Sequence, residues 1–557
     1  MTLFFNQMMN SKVYNRISSS NNFRLFLLYA VFIIALLPII IQRDFTPDNE
    51  LRYLCIADES LSSGRLFAFT NNGEPYADKP PLYLWIVMLC RQIAGSHQMW
   101  LLSIFSIFPA IVTSIYIGKM ANRELGDKNV AGATAMLLST AYFLGLSITL
   151  RMDMLMTMFI VLSIYSFTKI VANNNSRQLL LFPIWVFLAV FSKGPIGILV
   201  PLLTIGAYCL INRNGSLFRK VWGLRTWIVL FSLCIVWFGM VFLEGGTEYL
   251  DNLLFHQTMG RAVNSFHHSR PFWYYATAIW YVAAPWSLFA VVMIICGWKV
   301  FRTLEIFGQI AVIEVSITFV MLSLISGKLQ VYLLPLIPFL IMGSWVVMIK
   351  QRSFSSGRIL MMIPIVILGL AALAFIFMGS KTGLLPEIIS DRHLIEGAVV
   401  LFLISAFTSV ALMKNRKSSP SSIIVLYFFG FMGSIFLISC CLPKVNPYLG
   451  WSAQTNKILS IADQNTLSEN NIIFFNIDRS ENAKVLLNGV APKSVSLLSR
   501  KVEPDASKRA LRNKVIADSI KSRITKPYII MLDKKDSLYF EGFRKEKVGN
   551  YIIISEN

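Results

Sequence analysis

Long apolar runs separated by short polar segments dominate the first 442 residues of the chain. Thirteen of the runs are long enough to cross a bilayer as helices, although several are at the short end of the usual range. They cover residues 24–42, 99–119, 130–150, 154–171, 178–192, 195–211, 226–244, 274–297, 307–326, 330–349, 359–378, 395–413 and 422–442. The pattern predicts a polytopic α-helical membrane protein with about 13 transmembrane helices, of which the first is expected to remain as an anchor.

The first outer loop, residues 43–98, is rich in charge and also holds a shorter apolar run at 82–95. An ionised side chain costs about 2.5–3.5 kcal/mol or more at mid-bilayer, so this loop must face water. The run at 82–95 follows Pro80-Pro81 and carries Arg91. We therefore predict interfacial helices in the loop, with 82–95 lying along the membrane surface.

Residues 443–557 have a different pattern, because they are polar and contain only short apolar runs. Five runs are typical of strands, at 472–475, 484–487, 494–498, 528–532 and 551–554, and the stretch near 506–523 is compatible with a helix. This length is sufficient for one hydrophobic core. We predict two domains: a transmembrane catalytic domain, 1–442, and a small C-terminal α/β domain, 443–557.

The charge distribution fixes the predicted orientation. The chain has 557 residues, is 55% hydrophobic and carries a net charge of +21, which in a soluble protein would suggest nucleic-acid binding. With the N-terminus inside, the inner segments hold 20 basic and three acidic residues, and the outer loops before residue 443 hold 12 basic and 14 acidic residues. This asymmetry follows the positive-inside rule, so most of the excess charge reports topology and not nucleic acid. It places 443–557 outside the cytoplasm.

None of the seven cysteines lies in residues 443–557, which argues against a disulfide framework in this region.

Acids and cations recur in the outer loops. They are Asp48, Glu50, Arg52, Asp78 and Lys79 in the first loop, Arg151 and Asp153 in LRMDM, His267, His268 and Arg270 in the loop before residue 274, and Lys328 and Tyr332 in SGKLQVYLLP. Arginine and lysine bind phosphate and offset the charge of a phosphate leaving group. A carboxylate can deprotonate an attacking hydroxyl. Since nucleotide sugars are absent outside the cytoplasm, these residues favour an enzyme that uses a lipid-linked phosphosugar.

The same segments resemble a known family. DNELRY, NGEPYADKPPLYLW, LRMD, HHSRPFWYY and GKLQVYLLPLIP, in this order, are similar to motifs of the polytopic GT-C glycosyltransferases. The resemblance is strongest to the lipid A aminoarabinose transferases and to the bacterial protein mannosyltransferase-like enzymes, and it covers roughly residues 25–350. It implies a GT-C fold, a polyprenyl-phosphate (undecaprenyl-phosphate) sugar donor and no required cofactor.

Site residues follow from this resemblance. The family pattern P-D-E-x-R-Y implies Asp48 as catalytic acid or base, but Asn49 is an extra residue here, which leaves Glu50 as an alternative. Asp153 is implied as a second catalytic acid, with Arg151 beside it. The donor phosphate is expected near Arg52, Lys79, Arg270, Lys328 and Tyr332. Some relatives hold a metal ion near the acid that corresponds to Asp78, so Asp78 with His267 or His268 is a candidate divalent metal site.

The sequence therefore predicts an inverting glycosyltransferase of the bacterial inner membrane, with its active site on the periplasmic side. It is expected to act as a monomer on lipid A or another envelope glycolipid. Two alternatives stay open. A protein O-mannosyltransferase would have the same topology, and a lipid flippase would also have many spans. A flippase, however, usually has ionisable residues at mid-membrane depth, whereas the charges here concentrate on one outer face.

Overall fold

A computed structural model describes residues 21–255, 270–378, 386–414, 419–462, 471–497, 506–523 and 527–556. The elements in chain order are α1 (Asn21–Gln42), α2 (Glu50–Ser63), β1 (Thr70–Asn71), β2 (Glu74–Pro75), α3 (Leu82–Ala94), α4 (Met99–Leu125), α5 (Asp127–Leu138), α6 (Ala141–Ile148), α7 (Asp153–Asn173), α8 (Ser176–Lys193), α9 (Ile196–Ile211), α10 (Gly215–Val221), α11 (Leu224–Asp251), α12 (Tyr274–Val282), α13 (Ser287–Gly297), α14 (Ile306–Leu324), α15 (Leu336–Lys350), α16 (Phe354–Met378), α17 (Pro386–Ile389), α18 (Arg392–Lys414), α19 (Ser421–Ser439), α20 (Leu442–Leu449), α21 (Ser452–Ile461), β3 (Ile472–Phe475), β4 (Lys493–Val495), α22 (Ala506–Arg523), β5 (Tyr528–Asp533), β6 (Lys545–Val548) and β7 (Tyr551–Glu556). Short 3₁₀ helices cover Trp298–Thr303, Gln330–Leu333, Ser480–Val485 and Lys534–Phe540.

The chain forms two compact units. Unit 1 comprises Met1–Ile40, Ala77–Tyr83 and Trp100–Cys441. Unit 2 comprises Ile41–Tyr76, Leu84–Met99 and Leu442–Asn557. The predicted division into 1–442 and 443–557 did not include this grouping of most of the first outer loop with the C-terminal region.

Unit 1 consists of apolar helices. Within the described ranges, nine helices are long and apolar enough to cross a membrane, and ten if α5 and α6, which are bent by 66°, count as one span. Helices α3, α9 and α15 are apolar as well but shorter. Each of the thirteen predicted segments coincides with a helix or with two consecutive helices. The helical membrane fold is therefore confirmed, whereas the count of 13 spans stays a prediction.

The interior of unit 1 is built around α7 and α15. Every residue of α15 from Leu336 to Met348 is buried, which is expected of a helix that is apolar on all sides. Helix α5 packs closely between α15 and α19 at Gly132. A Cβ atom at Gly132 would lie 2.8 Å from the Cα atom of Ser421 and 2.9 Å from the ring of Trp345. A larger residue at this position would therefore force the helices apart.

The outer surface of the bundle is apolar. Large side chains such as Leu243, Leu324 and Phe26 are 75%, 80% and 67% exposed. Exposed apolar surface on this scale marks contact with a membrane or with another protein. Because these side chains belong to helices long enough to span a bilayer, we assign them to lipid contact.

Unit 2 contains a five-stranded mixed sheet with the order β4-β3-β5-β7-β6. Strands β3, β4 and β5 are parallel, and β7 is antiparallel to both β5 and β6. Ala517 of α22 packs with Phe475 and Ile530 in the hydrophobic core of this domain. The predicted helix at 506–523 and the strands that begin at 472, 528 and 551 are confirmed.

The strands differ from the prediction in two places. The run 484–487 was expected to be a strand but overlaps the end of the 3₁₀ helix Ser480–Val485, where Lys484 pairs with Glu59 of α2. Strand β6 was not predicted, because its sequence KEKV is polar and its side chains are largely exposed. It is an edge strand, for which charged side chains are usual.

Candidate active site

A buried ion-pair cluster in unit 1 has Asp153 at its centre. Asp153 is the first residue of α7 and has no exposed surface. Its Oδ2 atom lies 3.1 Å from Nε of Arg151, and its Oδ1 atom accepts a hydrogen bond from Nζ of Lys193. One carboxylate therefore holds two cations from different parts of the chain, as a buried charge requires.

Lys193 ends α8, and only 5% of its side chain is exposed. Its Nζ atom lies 4.6 Å from the ring centre of Tyr332, a cation–π contact. Lys79 is close enough to interact electrostatically with Lys193. The Nζ atom of Lys79 is 3.3 Å from Oδ2 of Asp78. We call Asp78, Lys79, Arg151, Asp153 and Lys193 the cation cluster. It contains three cations and two carboxylates, so it carries a net positive charge.

Lys193 was not among the predicted site residues. Between residues 178 and 212 it is the only charged side chain, and it directly precedes Gly194-Pro195. A lone lysine at the outer end of two apolar segments, opposite the basic inner side, was the signal that could have identified it.

Arg270, Lys328 and Tyr332 belong to two neighbouring segments of unit 1. The Lys328 amine donates hydrogen bonds to the carbonyl oxygens of Arg270, at 3.2 Å, and of Ile325. The Arg270 amide donates to the Ser326 carbonyl at 3.4 Å. Lys328 is buried, and this burial lowers the pKa of its amine. Lys328 thus holds the two segments together, and its predicted role at the donor phosphate remains untested.

Glu50, in unit 2, is also buried and paired. Its two carboxylate oxygens accept hydrogen bonds from Arg43, each at 2.8 Å, and Oε2 also accepts one from the Thr46 amide at 2.8 Å. Glu50 is the first residue of α2, where a negative charge is favourable. These contacts close the turn that precedes the helix.

Asp48, two residues earlier, differs from Glu50 in being open to solvent. Its side chain is 83% exposed, and its Oδ1 atom lies 3.7 Å from Nη1 of Arg479. The same guanidinium donates to the Asp48 carbonyl at 2.6 Å. Arg52 donates to Oδ1 of Asn49 at 2.7 Å, and its guanidinium lies 5.6 Å from the ring centre of Tyr76. Asn49, the extra residue in the motif, thus orients Arg52.

The predicted metal site is only partly covered by the structure. His267 and His268 lie outside the described residues. Asp78 is described, and its carboxylate pairs with Lys79. Within the described ranges no group of three or more histidine, cysteine or acidic side chains is arranged to hold a metal ion. A metal at Asp78 with either histidine stays a prediction.

Part of the chain matches a family of known activity. Residues 78–238, which include all five residues of the cation cluster, match the family model described as dolichyl-phosphate-mannose-protein mannosyltransferase. The match covers less than a third of the chain. It therefore identifies the segment that carries the cation cluster and does not characterise the whole protein.

Curated relatives are similar over a longer part of the chain. An uncharacterized protein of Aquifex aeolicus is 26% identical over 55% of this chain and 62% of its own length. An undecaprenyl phosphate-alpha-4-amino-4-deoxy-L-arabinose arabinosyl transferase 1 of Pseudomonas fluorescens is 26% identical over 60% of this chain and 59% of its own length. A transferase of the same description from Pseudomonas aeruginosa is 24% identical over 70% and 71%. The chain thus spans about 60% of the length of the first two relatives.

A solved structure matches nearly the whole chain. The crystal structure of ArnT from Cupriavidus metallidurans bound to undecaprenyl phosphate has a TM-score of 0.72 at 17% identity, and the match covers 95% of this chain and 97% of ArnT. The apo structure of the same protein gives 0.70 at 16% identity. The chain therefore has the fold of ArnT, and the resemblance inferred from the sequence motifs is confirmed.

Proposed function

We propose that this protein is a membrane glycosyltransferase that takes a sugar from an undecaprenyl-phosphate donor and transfers it to lipid A or another envelope glycolipid. Its relatives named as arabinosyl transferases and the fold it shares with ArnT support this choice. The observation that carries the proposal is the cation cluster around the buried Asp153. A positive site with only partly exposed side chains suits a phosphate that arrives on a lipid.

The chemistry needs a site that stabilises a phosphate leaving group. An acceptor oxygen attacks the anomeric carbon and forms the new glycosidic bond. The bond from that carbon to the donor phosphate oxygen breaks, and its electron pair stays on the phosphate. Negative charge on the lipid phosphate therefore increases in the transition state, and cations placed beforehand lower the barrier. We assign this role to Lys79, Arg151 and Lys193. The reaction written in this way needs no metal ion.

Asp153 then acts by positioning. Its carboxylate is fully buried and accepts hydrogen bonds from Arg151 and Lys193, so it is poorly placed to take a proton from an acceptor. Removing it would leave two cations without their shared counter-ion in a buried place, where an uncompensated charge is costly. We assign Asp153 to holding the two cations in place, and not to acid–base catalysis.

Asp48 is the better candidate for the base. Its exposed carboxylate is open to an acceptor, whereas both oxygens of Glu50 are engaged by Arg43. A hydroxyl acceptor must lose its proton, and an aspartate can take it. A phosphate acceptor is already anionic at neutral pH and has less need of a base. The choice of Asp48 rests on the motif resemblance and on this difference in exposure.

A protein acceptor is the second candidate. The family model that matches residues 78–238 carries the description of a protein mannosyltransferase, and this match favours a protein acceptor. In both cases the excess of basic residues on the predicted inner side supports a periplasmic site and a cytoplasmic N-terminus. We expect the protein to act in the bacterial inner membrane as a monomer.

Mass spectrometry of the cell envelope tests the proposal. Lipid A and membrane glycoproteins are compared in cells that lack the gene, express the natural protein or express Lys193→Met. Lys299→Met serves as a matched control, because Lys299 is exposed in the helix Trp298–Thr303. A pentosamine- or hexose-sized increment on lipid A in the natural and control strains alone supports the proposal. The same increment on protein would shift the acceptor class to the second candidate. Unchanged glycans in all strains would refute sugar transfer and make lipid transport the next hypothesis.

A further inference from the structure

A cavity of about 240 Å³ lies in unit 1 where three helices begin. Arg24 and Leu27 of α1, Lys128 of α5, and Ser421 and Ser422 of α19 are among the residues that line it. Each of these residues lies within the first turns of its helix. None of them belongs to the cation cluster or to the motifs assigned to sugar transfer.

The polar end of this cavity favours an anion. Helix N-termini carry partial positive charge, and here α5 and α19 both begin at the cavity. Arg24 and Lys128 add two full charges. A ligand with a negative head group is therefore electrostatically favoured over a neutral or positive one.

Hydrogen bonds fix this end of the cavity. The Ser421 hydroxyl donates to the Lys128 carbonyl at 2.5 Å and accepts from the Gly132 amide at 3.1 Å. The Ser419 hydroxyl donates to Oδ1 of Asn129 at 2.5 Å. These bonds hold the first turns of α5 and α19 together, so the cavity wall is preformed.

The other walls are apolar. Leu27 lies one turn beyond Arg24 in α1, and Val425 and Phe429 lie one and two turns beyond Ser421 in α19. The lining thus changes from cationic to hydrophobic along the direction in which these helices run. A molecule with a charged head and an apolar tail matches this gradient.

We propose that the cavity binds the phosphate head group of an anionic phospholipid, whose acyl chains lie along Leu27 and Phe429. The three helix starts carry Arg24 and Lys128 on the side that the positive-inside rule assigns to the cytoplasm, so the lipid comes from the inner leaflet. Basic pockets between membrane helices on that side commonly bind such head groups. The site is independent of the donor lipid and of sugar transfer.

Native mass spectrometry of the purified full chain tests this site. Binding of phosphatidylglycerol is compared with that of zwitterionic phosphatidylethanolamine for the natural protein, for Arg24→Ala/Lys128→Ala and for Arg219→Ala/Lys414→Ala. The last variant is the matched control, since it removes one arginine and one lysine that are exposed on the predicted inner side and do not line the cavity. Each basic residue near an anionic head group adds to binding, so the first variant, which lacks two of them, should lose roughly 30-fold in affinity for phosphatidylglycerol.

A second variant separates the cavity from surface charge. Val425→Trp retains both cations but fills the space, so it should weaken phosphatidylglycerol binding as well. Glycerol phosphate serves as a head group without tails, and it should fail to displace the lipid at equal concentration. Equal losses in the cavity and control variants, full binding by Val425→Trp, or displacement by glycerol phosphate would each overturn the proposal.

Discussion

Lys193 and Asp153 are 40 residues apart in the chain and form a buried ion pair where α8 ends and α7 begins. The side chain of Asp153 has no exposed surface, and that of Lys193 is 5% exposed. Two buried charges are tolerated because each satisfies the other, and Arg151 gives the pair a net positive charge. The pair thus connects the folding of two membrane helices to the cationic site that we assign to the donor phosphate.

Replacing Lys193 should separate catalysis from folding. Lys193→Met removes a cation from the leaving-group site, and we expect transfer to fall at least about 100-fold, comparable to the loss of one oxyanion donor. Lys193→Arg retains the charge and should retain more activity. Turnover of purified variants and their thermal stability are the measurements. Since Lys193→Met also leaves Asp153 paired to Arg151 alone, the double variant Asp153→Asn/Lys193→Met should recover stability without recovering activity. Full activity in Lys193→Met would contradict the assigned role.

Asp48 and Glu50 should respond differently to loss of charge. Asp48→Asn removes an exposed carboxylate, so the thermal midpoint should hardly change. Its turnover should fall at least about 100-fold with a hydroxyl acceptor and by less than about tenfold with a phosphate acceptor, because only the hydroxyl needs a base. Steady-state rates with each acceptor class check this. A large loss of stability, or full activity with a hydroxyl acceptor, would refute Asp48 as the base.

Glu50→Gln should act mainly on stability. It breaks a buried, two-bond pair with Arg43, and breaking a buried pair costs about 3–5 kcal/mol. Chemical denaturation of the purified protein, followed by the fluorescence of its tryptophans, measures the loss. The matched control is Glu74→Gln, an exposed carboxylate on β2, which should cost less than about 0.5 kcal/mol. If Glu50→Gln keeps its stability and loses turnover, Glu50 is the base and our assignment of Asp48 is wrong.

Glu59 predicts a pH dependence in unit 2. Burial alone would raise the pKa of its carboxyl, but hydrogen bonds from Lys484, from the Thr70 hydroxyl at 2.8 Å and from the Asn72 amide at 2.6 Å hold the pKa below its ordinary value of 4.5. The stability that this carboxylate contributes is therefore present above pH 4.5 and lost as the pH falls through the lower folded-state value. The stability difference between the natural protein and Glu59→Gln should shrink between pH 7 and pH 3. If the difference stays constant over this range, the ionised Glu59 carboxylate does not contribute the stability that we assign to it.

The sequence was sufficient for the membrane fold because the fold depends on segment length and apolarity. Each apolar run had to be a helix, since a backbone in lipid must satisfy its own hydrogen bonds. The small C-terminal domain was predicted less completely, because its pattern is weak at the polar edge strand β6. The 3₁₀ helix at 480–485 was missed because Lys484 there serves a tertiary contact with Glu59, which no local pattern reveals.

The sequence predicted only those site residues that belong to recognisable motifs. The motif resemblance identified Arg151, Asp153 and Lys79. In the structure all three interact electrostatically with Lys193. Lys193 has no motif of its own, and only the three-dimensional pairing of α7 with α8 shows its connection to Asp153. The ambiguity between Asp48 and Glu50 could likewise be resolved only by burial, because the exposed Asp48 lies just two positions before the buried Glu50 at the start of α2.

Equilibrium binding of radiolabelled undecaprenyl phosphate to the purified protein tests the central claim most directly. The account predicts that the natural protein and Lys299→Met bind undecaprenyl phosphate but bind undecaprenol, which lacks the phosphate, at least about tenfold more weakly. It also predicts that Lys193→Met loses most of this preference, because the preference comes from the cation cluster. Equal affinity for the two lipids, or an unchanged preference in Lys193→Met, would contradict the claim that these cations hold the donor phosphate.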